Sequence, residues 1–291
     1  MKLGFIGLGI MGSRMAANAQ AAGHELVIHN RTRSKADDLI VKGATWAATP
    51  ASVAEQVDVL ITMLAHPEAI EETALGEGGF LKALPENALW VDCSTVNPSF
   101  SRRMAQAAAD HHVRFIDAPV AGSKKQAADA QLVFLVGGAE HDIEQIRPVC
   151  EAMGRAINHV GSQGMGSSLK VVVNMLLATA MATFAEGMAL GESLGISQET
   201  LLDLLVGGAV VAPFMASKKP KIESGDYEPD FPLQWMHKDL QMAALTAYET
   251  GVAMPVANAS KELYQLALRE GLGEIDFSAI YLYLKASKPA E

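Results

Sequence analysis

The sequence predicts an α/β domain built on a doubly wound sheet, followed by an all-helical domain. Three observations carry this. Short β-branched runs alternate with helical patterns up to residue 162, a glycine-rich turn separates the first run from the first helix, and strand signals stop near Gly161. Alternation of this kind builds a parallel sheet with helices on both faces.

The expected strands are Lys2–Ile6, Glu25–His29, Val57–Met63, Ala88–Asp92, Val113–Asp117, Gln131–Val136 and Ala156–Val160. Val59-Leu60-Ile61 and Leu89-Trp90-Val91 are apolar without alternation, as strands covered on both faces are. Met11–Ala22 and Asn97–Asp110 place apolar residues at helical spacing. Beyond Gly161, Gly164-Met165-Gly166 opens a helix to about Leu194, and further helices are expected at Ser197–Val206, Pro213–Glu223, Pro232–Thr250, Pro255–Glu270 and Phe277–Lys285. Ser197 and Pro255 suit helix starts. The domains are therefore expected at 1–162 and 163–291.

Composition bounds the function. At 291 residues the chain exceeds what one compact core usually holds, and 49% hydrophobic residues fill a core amply. A net charge of −10 without a basic tail argues against nucleic acid and anionic membranes as partners. An anionic substrate must then be caught by a local cluster of cations and N–H groups. The two cysteines, Cys93 and Cys150, show no Cys-x-x-Cys spacing, which fits a reducing compartment. The run Met1–Gly7 is too short for a signal peptide. The apolar stretch Val171–Ala182 is interrupted by Asn174 and flanked by Lys170 and Glu186, so it reads as a buried helix rather than a membrane span. A cytoplasmic location is expected.

Gly7-Leu8-Gly9-Ile10-Met11-Gly12 is a G-x-G-x-x-G between a strand and a helix, the turn of Rossmann-type domains. Gly7 permits the tight turn, Gly9 admits a pyrophosphate, Gly12 lets helix and strand pack closely, and the helix N-terminus supplies N–H groups. At the end of the second strand, where NAD enzymes carry an acid for the ribose 2′-hydroxyl, the chain reads His29-Asn30-Arg31-Thr32-Arg33-Ser34-Lys35. An acid would repel a 2′-phosphate, whereas an arginine pairs with it. The pattern points to NADP(H), with Arg31 and Thr32 as main contacts beside Asn30. Arg33 and Lys35 fit the start of the next helix as well.

Ligands of such sheets lie outside the carboxyl ends of the strands. Three segments fall there: Met63-Leu64-Ala65, Asp92-Cys93-Ser94-Thr95-Val96-Asn97, and Asp117-Ala118-Pro119-Val120-Ala121-Gly122-Ser123-Lys124. Thr95 and Ser123 offer hydroxyls and Gly122 offers a bare backbone, while Ser94 and Asn97 also suit helix caps. Lys170 and Asn174 are the only polar side chains from Leu169 to Ala178 and share one helix face. Such a lysine either snorkels to the surface or serves a ligand. In the second case it protonates a carbonyl oxygen as hydride arrives. Lys238-Asp239 reads on spacing as a surface ion pair.

These motifs together resemble the β-hydroxyacid dehydrogenase family over the whole chain. The glycine loop with Met15 and Asn18, Asp92-Cys93-Ser94-Thr95, Asp117-Ala118-Pro119-Val120, Gly164 to Asn174, and Lys238-Asp239-Leu240 occur in order at the family spacing. Gly122-Ser123-Lys124-Lys125, Phe231-Pro232-Leu233, Met254-Pro255-Val256 and Asp276-Phe277-Ser278-Ala279 look most like the glyoxylate and succinic semialdehyde reductase branch. The resemblance implies Lys170 as catalytic residue, with Asn174, Gly122 and Ser123 at the substrate. It places Ser94 and Asp239 near them, Asp239 steadying Lys170 or its neighbours. It puts Thr95, Phe231 and Lys238 at the nicotinamide half of the cofactor. It further implies a small acid-aldehyde substrate and a homodimer or homotetramer. Ala121 departs from the family's usual serine.

The alternatives are a dehydrogenase of 3-hydroxyisobutyrate or another 3-hydroxy acid, an imine reductase, against which Lys170 speaks, and an NADPH-binding sensor without turnover. Eight histidines without His-x-x-x-His or Cys/His clusters give a metal site little support. No Gly-x-Ser-x-Gly elbow suggests a hydrolase.

Overall fold

Nine strands in a computed structural model describing residues 1–286 form one sheet: β1 (Lys2–Ile6), β2 (Glu25–His29), β3 (Thr45–Trp46), β4 (Val59–Thr62), β5 (Leu89–Asp92), β6 (Arg114–Asp117), β7 (Val120–Ala121), β8 (Leu132–Gly137) and β9 (Gly154–Gly161). The neighbours β3-β2-β1-β4-β5-β6 run parallel. The helices among them are α1 (Gly12–Ala21), α2 (Asp37–Val41), α3 (Pro50–Ala54), α4 (Pro67–Leu75), α5 (Pro98–Asp110), α6 (Lys124–Ala128) and α7 (Glu140–Met153). They cover both faces. Leu3, Phe5, Ile28 and Val91 join one buried cluster, and Ile6, Val27, Leu60 and Trp90 the other. Trp90, fully buried, packs edge-on between Phe80 and Phe115 at 4.9 and 4.8 Å.

The sheet departs from the all-parallel expectation at one side. β8 pairs antiparallel with β6 and β7 and parallel with β9. The segment 118–131 holds only the two-residue β7 and the five-residue helix α6, and the chain doubles back through it. β3 and β7, two residues each, are too short to leave a period in the sequence.

The remaining helices are α8 (Met165–Ser193), α9 (Gln198–Leu205), α10 (Lys219–Ser224), α11 (Leu233–Thr250), α12 (Pro255–Arg269) and α13 (Ile280–Ala286). Two expected helices begin as 3-10 turns. Pro213–Ser217 precedes α10, because Pro220 has no N–H to continue a helical ladder backward. Phe277–Ala279 precedes α13 and is capped by Asp276, which accepts from Ser278 N. The chain divides by compactness into Met1–Val171 and a unit from Val172 onward. This division falls inside α8, whereas the sequence suggests one at 162/163. Residues 287–291 of the expected second domain lie outside the described residues.

The second unit has its own core, including Ala178, Met181, Met188, Leu202, Leu240, Tyr264 and Tyr281. Among the described helices α8 alone is long and apolar enough to cross a membrane by length and composition. Its buried stripe, Ala178, Met181, Ala185 and Met188, repeats at helical spacing in that core, while Val172, Leu176 and Leu190 on it are exposed.

Candidate active site

The glycine loop follows β1 as expected. Gly7 holds φ +99°, and a Cβ there would stand 2.3 Å from Met63 O. A Cβ on Gly12 would stand 1.9 Å from Gly7 O, so α1 packs directly onto the turn. Gly9 is exposed and has no atom within 4 Å of its would-be Cβ. The α1 N-terminus has no side-chain cap and no acid in its first turn, which leaves its positive end to an anion. A dinucleotide pyrophosphate therefore fits over Gly9, Ile10 and Met11.

At the end of β2, Asn30 braces the loop. Its Oδ1 accepts from Leu8 N at 2.9 Å and its Nδ2 donates to Thr32 O at 2.9 Å. Its side chain thus holds the glycine loop and the segment after β2 together, with one Nδ2 proton uncommitted. Arg33 pairs with Asp37 at 3.2 Å and lies 5.6 Å over the Trp46 ring. Arg31 is exposed and makes no ion pair among the described residues. Lys35 is likewise exposed and outside the ion pairs of the described residues.

The strand register sets Ile6, Thr62, Asp92 and Asp117 side by side, so the segments after β1, β4, β5 and β6 leave the sheet at one level. Asp92 is buried. Its Oδ1 accepts from Thr62 Oγ1 at 2.8 Å and from Ser94 N at 3.1 Å, and Thr62 Oγ1 accepts from Trp90 Nε1 at 2.8 Å. Burial pushes its carboxyl up, against these donors. Ser94 is neither a helix cap nor an exposed substrate ligand. It is buried, and its Oγ accepts from Leu64 N at 2.9 Å, tying the segment after β5 to the Met63–Ala65 segment after β4. Asn97 occupies the N-cap position of α5, but its side chain donates to Ser99 Oγ at 2.6 Å instead of capping. Thr95 lies between them, half-buried.

Gly122 holds φ +129°, and a Cβ there would stand 2.9 Å from the Leu132 side chain and 3.0 Å from Gln126 Cβ, so only glycine suits it. Ser123 N and Oγ both donate to Gln126 Oε1, at 3.0 and 2.7 Å. Ser123 and Gln126 thus form a capping box, so the hydroxyl expected at the substrate also closes the first turn of α6.

Asp117, the last residue of β6, is the unforeseen feature. Its Oδ1 accepts from Gly164 N and its Oδ2 from Ser167 N, both at 2.7 Å. Burial pushes this carboxyl up and the two N–H groups oppose it. The start of α8 is thereby fastened to the strand ends. Lys170, one turn on from Gly166, is only 7% exposed, so it does not snorkel to the surface.

Asn174 follows one helical turn after Lys170 and is buried. Its Nδ2 donates to Asp239 Oδ2 at 2.5 Å. Asp239 is also buried, and Lys238 Nζ stands 2.8 Å from its Oδ1 in an ion pair without hydrogen-bond alignment. The Lys238–Asp239 pair is therefore interior, not the surface pair its spacing suggests. Asp239 orients Asn174. The loop bearing Phe231 has an anchor that sequence reasoning missed. Asp276 Oδ2 accepts from Lys218 Nζ at 2.9 Å, Asp230 N at 3.1 Å and Phe231 N at 3.3 Å, and the Phe231 ring meets Phe277 edge-on at 5.8 Å. A groove of about 480 Å³ lined by Arg102, Gln106, Arg114, His141 and Gln163 contains none of the candidate residues.

Residues 2–161 match the NAD binding domain of 6-phosphogluconate dehydrogenase, and residues 164–284 match the NAD-binding domain of NADP-dependent 3-hydroxyisobutyrate dehydrogenase. The chain is 37% identical over 288 residues to glyoxylate/succinic semialdehyde reductase 1 of Arabidopsis thaliana, covering 99% of this chain and all of the relative. The chain belongs to the β-hydroxyacid dehydrogenase family. Its structure superposes on Mycobacterium tuberculosis 3-hydroxyisobutyrate dehydrogenase with L-serine at a TM-score of 0.88 and 30% identity, covering 98% of this chain and 99% of that one. Psf3 in complex with NADP+ and 2-OPP superposes with the same TM-score at 26% identity, covering 97% and 99%. The chain is thus an oxidoreductase of this family, with a Rossmann-type nicotinamide-cofactor domain and a helical second domain.

Proposed function

We propose that this chain is an NADPH-dependent reductase of small aldehyde and keto acids, converting glyoxylate to glycolate and succinic semialdehyde to 4-hydroxybutyrate. The observation that carries the reading is Lys170, buried on a helix whose start is fastened to the carboxyl ends of the strands. The likeness over the full length of an Arabidopsis glyoxylate/succinic semialdehyde reductase supports the substrate class.

When bound, NADPH supplies hydride to the carbonyl carbon. Lys170 supplies the proton to the carbonyl oxygen, and its positive charge stabilises the alkoxide as it forms. Asn174, fixed by Asp239, orients that oxygen. Thr95 and the backbone around Gly122 and Ser123 receive the substrate carboxylate. Gly7 to Gly12 take the pyrophosphate, and Arg31 with Thr32 takes the 2′-phosphate. Met63 to Ala65 border the cofactor's other half.

A second reading, oxidation of 3-hydroxyisobutyrate or another 3-hydroxy acid, is favoured by the likeness to 3-hydroxyisobutyrate dehydrogenase. NADPH oxidation measured with glyoxylate, succinic semialdehyde, methylglyoxal and methylmalonate semialdehyde separates the two, run beside NADP+ reduction by 3-hydroxyisobutyrate. The first two substrates should give the highest kcat/KM. Faster turnover of 3-hydroxyisobutyrate than of either would favour the second reading.

A further inference from the structure

We propose that Asp117 is a positioning residue for the proton donor: its carboxylate sets the axial position and rotation of α8 and so fixes where Lys170 stands. The inference rests on the reading of Lys170 as that donor.

Asp117 closes β6 and is paired in register with Asp92 on one side and Gly137 on the other, so its backbone is held by neighbouring strands. Its two carboxylate oxygens each take one backbone N–H of the α8 start, Gly164 and Ser167, at 2.7 Å. One point of attachment would leave a helix free to swivel, whereas two N–H groups three residues apart fix both its height and its rotation. Lys170 comes three residues after Ser167, about 4.5 Å further along the axis. A change in tilt or rotation at the anchor is therefore passed to it with little attenuation.

The junction has no slack. A Cβ on Gly166 would stand 2.2 Å from Leu135 O, and one on Gly137 would stand 2.5 Å from Asp117 Oδ1 and 2.9 Å from Gly166 N. Glycine at both positions brings the helix backbone directly onto the strand ends. The carboxylate is buried and accepts from Gly164, just before α8, and from Ser167 in its first turn, so it is built into this junction rather than shared with solvent.

The test is a double-mutant cycle read in single-turnover hydride transfer. Asp117→Asn keeps one acceptor but turns an NH2 group toward the second N–H. It should lower the rate about ten- to a hundredfold, the scale of an ångström-sized misplacement. The NADPH KM should stay within about twofold, and thermal unfolding should remain cooperative. In a Lys170→Met background the same substitution should cost little more, because its target is already gone. Gly137→Ala, which drives a methyl against Oδ1 without touching any charge, should reproduce the pattern. Equal losses with and without Lys170 would make Asp117 a structural residue and overturn the assignment, as would a rate within about twofold of wild type. Failure of both Asp117→Asn and Gly137→Ala to fold would overturn it too. A Lys170→Met enzyme that keeps more than about a tenth of its turnover would instead overturn the reading of Lys170, and this inference with it.

Discussion

Arg31 and Arg33 stand two residues apart and carry the same charge, yet their surroundings divide their work. Arg33 is engaged with Asp37 and the Trp46 ring, while Arg31 has no ion pair among the described residues. Pairing a free guanidinium with a 2′-phosphate adds a charge-assisted contact worth about 1.5–3 kcal/mol, or roughly tenfold or more in affinity. Arg31→Ala should raise the NADPH KM by that factor and leave the NADH KM nearly unchanged. Arg33→Ala should alter the NADPH KM far less. Equal use of NADPH and NADH by the wild type would contradict the assignment of cofactor. Asn30 carries a bracing role that the motif does not reveal. Its place beside the cofactor loop is evident from the motif, but its side chain supports Leu8 and Thr32.

At the level of elements, the strands buried on both faces were legible because a continuous apolar run has few other uses. β1 and β2 match their expected ranges, and β4 to β6 end within a residue or so of theirs. The reversed β8 was not legible, since strand direction leaves no trace in a periodicity. Nor were the anchors. Asp117 and its partners Gly164 and Ser167 are separated by 47 and 50 residues, and an acid at a strand end reads locally as one more polar residue. Asp276 and Lys218 are 58 apart and both fully or nearly buried. Their pair holds the Phe231 loop by two further backbone N–H groups. Removing Asp276 leaves the buried Lys218 only the longer contact with Asp230 at 3.8 Å, and breaking a buried pair typically costs about 3–5 kcal/mol. Asp276→Ala should therefore lower the urea midpoint strongly, and adding Lys218→Met should recover part of the loss. Equal midpoints for Asp276→Ala and wild type would show that the loop is held otherwise.

At the scale of the whole molecule, the two compact units each have a core, and α8 belongs to both: its first turns to the sheet unit and the rest to the helical one. Val172, Leu176, Leu190 and Leu194, on and just beyond α8, remain exposed, as do Leu204 and Val256 of the helical unit. Exposed apolar patches mark association faces in proteins generally. We expect a homodimer or homotetramer at micromolar concentration by light scattering, and a monomer there would contradict this. The proposed reaction turns on the proton. The measurement that tests it most directly is turnover of Lys170→Met with NADPH and glyoxylate, beside NADPH binding by fluorescence titration. The substitution keeps length and apolar packing while removing the proton and the charge. Turnover should fall about 10²–10⁴-fold, the usual worth of a positioned general acid, with cofactor affinity near that of the wild type. Turnover above about a tenth of wild type, with NADPH still bound normally, would contradict it.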